Sequence, residues 1–155
     1  MKLTTKGRYA VTAMMDLALH AKLDHIALVD IAERQNISLS YLEQLFRCLR
    51  KGGLVKSVRG AKGGYKLAKP DTDISLADIL IAAEEEINLT CGNGASCTEI
   101  TPCLTHDLWN HLSGKFFEFL DSKKLNTLVQ SRHVQTLATK QDLTLIGDIP
   151  VQISR

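Results

Sequence analysis

The sequence predicts a mainly α protein: a winged helix-turn-helix with a small β-hairpin wing, followed by a cysteine loop and a long C-terminal helix. Three observations lead there. Two apolar-periodic segments, the first short and the second longer, meet at Asn36 within about residues 28–51, which is helix-turn-helix spacing. Two β-prone runs then flank Arg59-Gly60-Ala61-Lys62-Gly63-Gly64, a glycine-rich hairpin signal. Finally, Cys91, Cys97, Cys103 and His106 precede a long amphipathic stretch.

From Thr5 the residues Ala10, Ala13, Met14, Leu17, Ala18 and Ala21 recur at three- and four-residue spacing, predicting a first helix to about Ala21 that packs against other helices. Lys2, Lys6 and Arg8 gather at its start, where unpaired backbone N–H groups favour an anion, so Lys6 is a candidate phosphate contact. A second helix fits Val29 to Gln35 with Ile31 and Ala32 inward, and Asn36 ends it because Asn tolerates a left-handed turn. Ser38 or Ser40 caps the third helix, and Ser40 with Glu43 has the pattern of a capping box. Leu42, Leu45, Phe46 and Leu49 form its buried stripe; Gly52-Gly53 stops it. The strands Leu54–Val58 and Tyr65–Ala68 complete a wing over about residues 54–68, closing a first domain at residues 1–69.

The third helix offers Ser38, Ser40, Tyr41, Gln44, Arg47, Arg50 and Lys51 on its entry and exposed side. Hydroxyls, an amide and cations are the groups that reach base edges and phosphates in a major groove. The wing adds Arg59, Gly60 and Lys62, with Arg59 suited to a narrow minor groove. Glu43 is out of character there; it repels phosphate, yet can accept from cytosine or penalise sites that offer no donor. Charge by itself suggests nucleic acid or an anionic membrane, about even with a solvated face, and the helices and wing turn it toward double-stranded DNA as the partner. The formal net charge is only +2, but residues 1–70 hold 13 Lys/Arg against 5 Asp/Glu and residues 71–155 hold 6 against 12. Arg47 to Lys69 contains eight basic residues and no acidic one. Helices and basic wing together favour a DNA reader over a merely solvated charged face.

The second region, residues 73–130, begins after the breaker Pro70-Asp71-Thr72-Asp73. Ser75 with Asp78 forms a capping box for a helix carrying Leu76, Ile79, Leu80 and Ala83. That helix runs into Glu84-Glu85-Glu86, three carboxylates that oppose the macrodipole and call for solvent or a nearby cation. Beyond the cysteines, Thr101-Pro102 suits a cap and first helical position, placing Cys103 and His106 on the first turns. Leu108, Trp109, Leu112, Phe116 and Phe119 give the following helix a wide apolar side, which core of the same subunit could absorb but which a reader of paired half-sites favours as a two-fold interface. Residues 131–155 read as a mobile tail, with β character at Leu143-Thr144-Leu145-Ile146.

Three thiolates and an imidazole within 16 residues form a four-ligand metal site. Zinc is the ordinary occupant of such a set, but structural zinc prefers cysteine pairs two to four residues apart. Here five residues separate each cysteine from the next, in Gly-, Ser- and Thr-containing sequence, which favours an iron-sulfur cluster while leaving zinc open. Lone Cys48 on the third helix reads as a packing residue. The start Met1-Lys2-Leu3-Thr4 lacks a signal-peptide core and no apolar run approaches a membrane span, so the expected compartment is the cytoplasm, with no membrane partner. Thiols stay reduced there, and cysteines are ligands before they are disulfides.

Several runs together resemble the IscR family of iron-sulfur cluster regulators. They are Leu3-Thr4-Thr5-Lys6-Gly7-Arg8-Tyr9-Ala10, Ile37 to Phe46, the wing Ser57-Val58-Arg59-Gly60 with Gly63-Gly64-Tyr65, and Cys91/Cys97/Cys103/His106. The resemblance covers about Met1 to Val129. It implies a homodimeric transcription factor that binds promoter operators and holds a 2Fe-2S cluster through those three Cys and one His. It further implies that cluster occupancy selects DNA sites and represses cluster-assembly genes, with the cluster-assembly machinery as the cluster's source. Asn36 stands where that family often has Gly, and Ala61-Lys62 adds a charge to the wing tip. A zinc-stabilised regulator is the nearest alternative. A cluster carrier or electron-transfer protein leaves the basic first half without a role, and no catalytic constellation argues for an enzyme.

Overall fold

The structure, a computed structural model, describes residues 4–20, 25–85, 87 and 103–147. Among them the order is α1 (Thr5–Leu19), α2 (Leu28–Gln35), α3 (Leu39–Lys51), β1 (Val55–Val58), β2 (Gly64–Leu67), a 3-10 turn (Asp71–Asp73), α4 (Leu76–Ala82), α5 (His106–Ser122), α6 (Leu125–Val129) and α7 (Arg132–Gly147). A mainly helical chain with one two-stranded sheet is what the sequence predicts.

Helix α1 lies at the centre of the main core. Its fully buried Ala10, Ala13 and Met14 pack with Ile31 of α2, Leu42, Leu45, Phe46 and Leu49 of α3, Ile79 of α4 and Leu125 of α6. The two alanines leave room for neighbouring helices to approach closely. α1 ends at Leu19, just short of the expected Ala21, with His20 as its C-cap. Asn36 closes α2 in the left-handed conformation at φ 51°, as its residue type implies.

The predicted Ser40–Glu43 capping box does not form. The residue at the N-cap of α3 is Ser38, and the first helical bond already runs from the Leu42 N–H to the Ser38 carbonyl at 3.1 Å. Placing Ile37 in the core lets the helix begin at once, which carries Ser40 inside the first turn and out of reach of a capping role.

Strands β1 and β2 pair antiparallel with Val55 opposite Leu67 and Val58 opposite Gly64. Ile26 extends the sheet by exchanging two 2.8 Å backbone bonds with Tyr65. Phe46 is fully buried with its ring centroid 4.9 Å from that of Tyr65, so one aromatic contact ties α3 to the wing. Burying a Phe side chain contributes about 2–3 kcal/mol.

The Ser75–Asp78 capping box forms as expected, with bonds of 2.9 and 3.0 Å and Ser75 fully buried. Two backbone bonds of 2.8 Å, from Leu76 to the Lys123 carbonyl and from Leu125 to the Ile74 carbonyl, lash the end of α5 to the start of α4. A smaller core of Ala77, Leu80, Ile87 and Leu120, joined by Phe116, fills the α4–α5 contact.

Two expectations for the second half are corrected. α5 begins at His106 with Thr105 as N-cap, so Cys103 precedes the helix, and Thr101-Pro102 lie outside the described residues. Residues 132–147, expected as tail with β character near its end, form helix α7. The β-prone Leu143 to Ile146 is helical because α7 has tertiary partners: Gln141 meets Gln35 at 3.1 Å and Asp142 meets His20 at 3.2 Å. The Ile149–Val151 stretch lies outside the described residues.

Candidate nucleic-acid interface and metal loop

The polar residues of α3 fall into two rows. Glu43, Arg47 and Arg50, at spacings of four and three, line an open groove closed on the far side by Ser57, Gly60, Ala61 and Gly64 of the wing. Tyr41, Gln44 and Cys48 line a second hollow, together with Lys6 from the start of α1. Tyr41 is half-buried and meets Tyr9 edge-on at 5.8 Å, whereas Gln44 is exposed. Ser38, Ser40 and Lys51 are also exposed, at the two ends of the helix. The sequence groups all of these as one face; the structure divides them, with α3 as the ridge between.

The wing tip is locally built. Gly60 sits at φ 130°, a backbone region that side chains disfavour, and its carbonyl accepts from the Gly63 N–H at 3.0 Å. This turn leaves Arg59 and Lys62 exposed. His25 bonds through Nε2 to the Lys62 carbonyl, a support that sequence reading misses because the partner is 37 residues away.

Lys6 is already paired. Its Nζ lies 2.8 Å from Glu84 Oε2, and the bond holds the Glu84 carboxyl below its usual range and raises Lys6 above its own. Glu85 turns to the N-terminus of α1, accepting from the Thr4 N–H at 3.1 Å, the Gly7 N–H at 3.0 Å and the Thr4 hydroxyl. Glu84 and Glu85 are therefore met by a cation and by the positive end of another helix's dipole, while Glu86 lies outside the described residues. Nothing local in the sequence names those partners.

Of the four candidate metal ligands, Cys103 and His106 are described, and Cys91 and Cys97 lie outside the described residues. Cys103 is exposed, and its carbonyl accepts from the His106 N–H at 3.1 Å, so a tight backbone turn places both residues at the root of α5. His106 Nε2 lies 2.9 Å from Asn110 Nδ2, one turn along. A neighbouring polar group of this kind fixes the ring of a ligating histidine. A soft thiol and an imidazole on one turn are donor types that fit part of a three-Cys, one-His set. Among the described residues no group of three or more His, Cys, Asp or Glu could hold a metal. Cys48 shares its hollow with Lys6, Tyr41 and Gln44 and no metal-ligand candidate.

The apolar side of α5 splits into two stripes. Leu120 is buried and Phe116 half-buried against α4, while half-buried Trp109 donates its indole N–H to Thr105 Oγ1 at 3.1 Å. Leu108, Leu112 and Phe119 form the other stripe and are 60%, 44% and 55% exposed. Phe116 is thus largely committed within the subunit. Among the described residues no helix is long and apolar enough to cross a membrane.

Comparison with known proteins agrees with this architecture. The HTH-type transcriptional regulator IscR of Vibrio atlanticus (strain LGP32) is 49% identical over 146 residues, covering 94% of this chain and 84% of the relative. IscR of Vibrio cholerae shows the same identity and coverage. Among solved structures, T. potens IscR superposes with a TM-score of 0.68 at 41% identity, covering 84% of this chain and 87% of that one. CymR, the global cysteine regulator of B. subtilis, superposes with a TM-score of 0.71 at 37% identity, covering 83% and 96%. Residues 3–131 match the family model described as Rrf2, iron-dependent transcriptional regulator, and the chain belongs to that family of helix-turn-helix transcription regulators.

Proposed function

We propose that the chain is a homodimeric regulator that binds promoter DNA, senses a 2Fe-2S cluster and controls iron-sulfur cluster assembly genes, with its choice of DNA sites dependent on cluster occupancy. The observation that carries this reading is the position of Cys103 and His106 at the root of α5, a helix that joins α4 on one side and leaves an apolar stripe on the other. Cys91, Cys97, Cys103 and His106 would hold the cluster. When bound, it supplies a redox-active, acid-labile iron centre whose His ligand raises its potential relative to four thiolates.

The residues of the chain provide the connection to DNA. Phe116 and Leu120 join α5 to α4 through Ala77, Leu80 and Ile87, and α4 ends at the Glu84-Glu85 pair that holds the start of α1. α1 in turn packs on α2 and α3. A change at the cysteine loop thus has a continuous set of contacts through which to shift the population of reading-head positions. Leu108, Leu112 and Phe119 are the surface offered to a second copy, and Glu43, Gln44, Arg50 and Arg59 are offered to DNA. The cluster-assembly machinery is the source of the cluster, and the site of action is the cytoplasm.

Anaerobic purification tests the occupant: visible absorption with about two irons and two sulfides per chain is expected. A colourless protein with one zinc would instead make it a zinc-stabilised DNA-binding regulator. Footprinting of the wild type against Cys97→Ala tests the coupling, which identical site preferences would reject.

A further inference from the structure

The acidic pair after α4 belongs neither to the metal donors nor to the DNA-facing rows, yet it touches the reading head. Glu84 sits at φ 60°, a left-handed conformation unusual for a residue with a side chain. From that turn the carboxylate reaches Lys6 at 2.8 Å, 78 positions earlier in the chain. Lys6 borders the hollow formed by Tyr41, Gln44 and Cys48 of α3, and Lys51 at the end of α3 also acts on Glu84 electrostatically. Glu85 fills the adjacent helix N-terminus so closely that a Cβ at Gly7 would lie 2.7 Å from its Cγ. An oxyanion against a lysine and another against free backbone N–H groups is how a DNA phosphate is bound at a helix start. Both places are occupied here by the chain's own carboxylates. Ile87, buried against α4 and α5, anchors the segment two residues on, four residues before Cys91.

We propose that Glu84 is an autoinhibitory phosphate mimic: it occupies Lys6 on the flank of the reading helix, and DNA must displace it before Lys6 can grip the backbone. The proposal rests on α3 and the wing being the DNA surface. The Lys6–Glu84 pair is part-exposed, so its hold is modest and readily exchanged for a phosphate. The contact lowers affinity without regard to base sequence, since phosphate contacts carry no sequence information.

The full-length protein is titrated by fluorescence anisotropy with a labelled mixed-sequence duplex over a range of salt concentrations. Glu84→Gln keeps the backbone and side-chain length, and should bind roughly 2- to 5-fold tighter at low salt. Its plot of log affinity against log salt should steepen by about one per lysine released. Lys6→Gln/Glu84→Gln should lose the gain. Equal affinity and slope for Glu84→Gln and the wild type overturns the proposal, as does a gain that survives loss of Lys6. Arg59→Ala runs alongside: if it weakens binding while Glu84→Gln changes nothing, the mimic alone fails. If both are without effect, the assignment of the DNA surface fails with it.

Discussion

Replacing Arg34 with Ala should destabilise the protein by about 3–5 kcal/mol, a large fraction of an ordinary domain's stability. Asp16 on α1 is 1% exposed, and Arg34 on α2 grips it bidentately, with Nε at 3.0 Å and an Nη at 2.7 Å. Gln35 adds a third bond at 2.7 Å. Burial opposes the guanidinium's charge, but its bonds to Asp16 prevail and leave Arg34 more firmly protonated than usual. Truncating Arg34 leaves the buried carboxylate with the Gln35 amide and, at 3.4 Å, the His20 ring nitrogen, and loss of the guanidinium's charge and two bonds sets the cost. Urea unfolding at fixed protein concentration measures it, and the melting temperature should fall by roughly 6–20 °C. Replacing both partners with apolar residues, Asp16→Leu/Arg34→Met, should cost less than Arg34→Ala alone, because no charge is stranded. Arg34→Lys should fall between, having lost the fork. A loss below about 1 kcal/mol for Arg34→Ala would refute the reasoning and make the pair an ordinary surface one. The consequence extends to the reading head, since α2 holds α3 through the Asn36 turn.

Arg59→Ala should weaken DNA binding roughly 10-fold by removing the exposed guanidinium of the wing, as judged by anisotropy; undiminished affinity counts against the wing assignment. Leu112→Asp and Phe119→Asp place charge on the exposed stripe of α5 and should convert a dimer to monomer in analytical ultracentrifugation, while leaving the helical circular dichroism intact. A dimer that persists in both variants removes that stripe from the interface. Glu43→Ala should relax preference among DNA sites because it deletes the one carboxylate that lines the α3–wing groove among the described residues; a panel of duplexes with unchanged relative affinities would sink the idea.

Sequence alone determined what depends on neighbours within about one helical turn or one hairpin. The left-handed Asn36, the Ser75–Asp78 box, the stop at Gly52 and the glycine-rich wing are of this kind, because cap and turn chemistry is written within a few residues. The buried stripe of α3 follows equally from spacing, since burial of one face is what the period encodes. Tertiary structure decided the rest. Of the two caps the sequence offers, Ser38 holds the N-cap with Ile37 in the core, and α7 replaced an expected tail because Gln141 and Asp142 found partners on α2 and at the end of α1. Spacing placed Leu108, Leu112, Phe116 and Phe119 on one apolar side, but only the packing of α4 separates the Phe116 spent inside the subunit from the three left outside. Likewise, the sequence showed that Glu84 and Glu85 call for solvent or a nearby cation. That Lys6 and the start of α1 meet them depends on the fold bringing together residues nearly 80 positions apart, a closeness that no local pattern records.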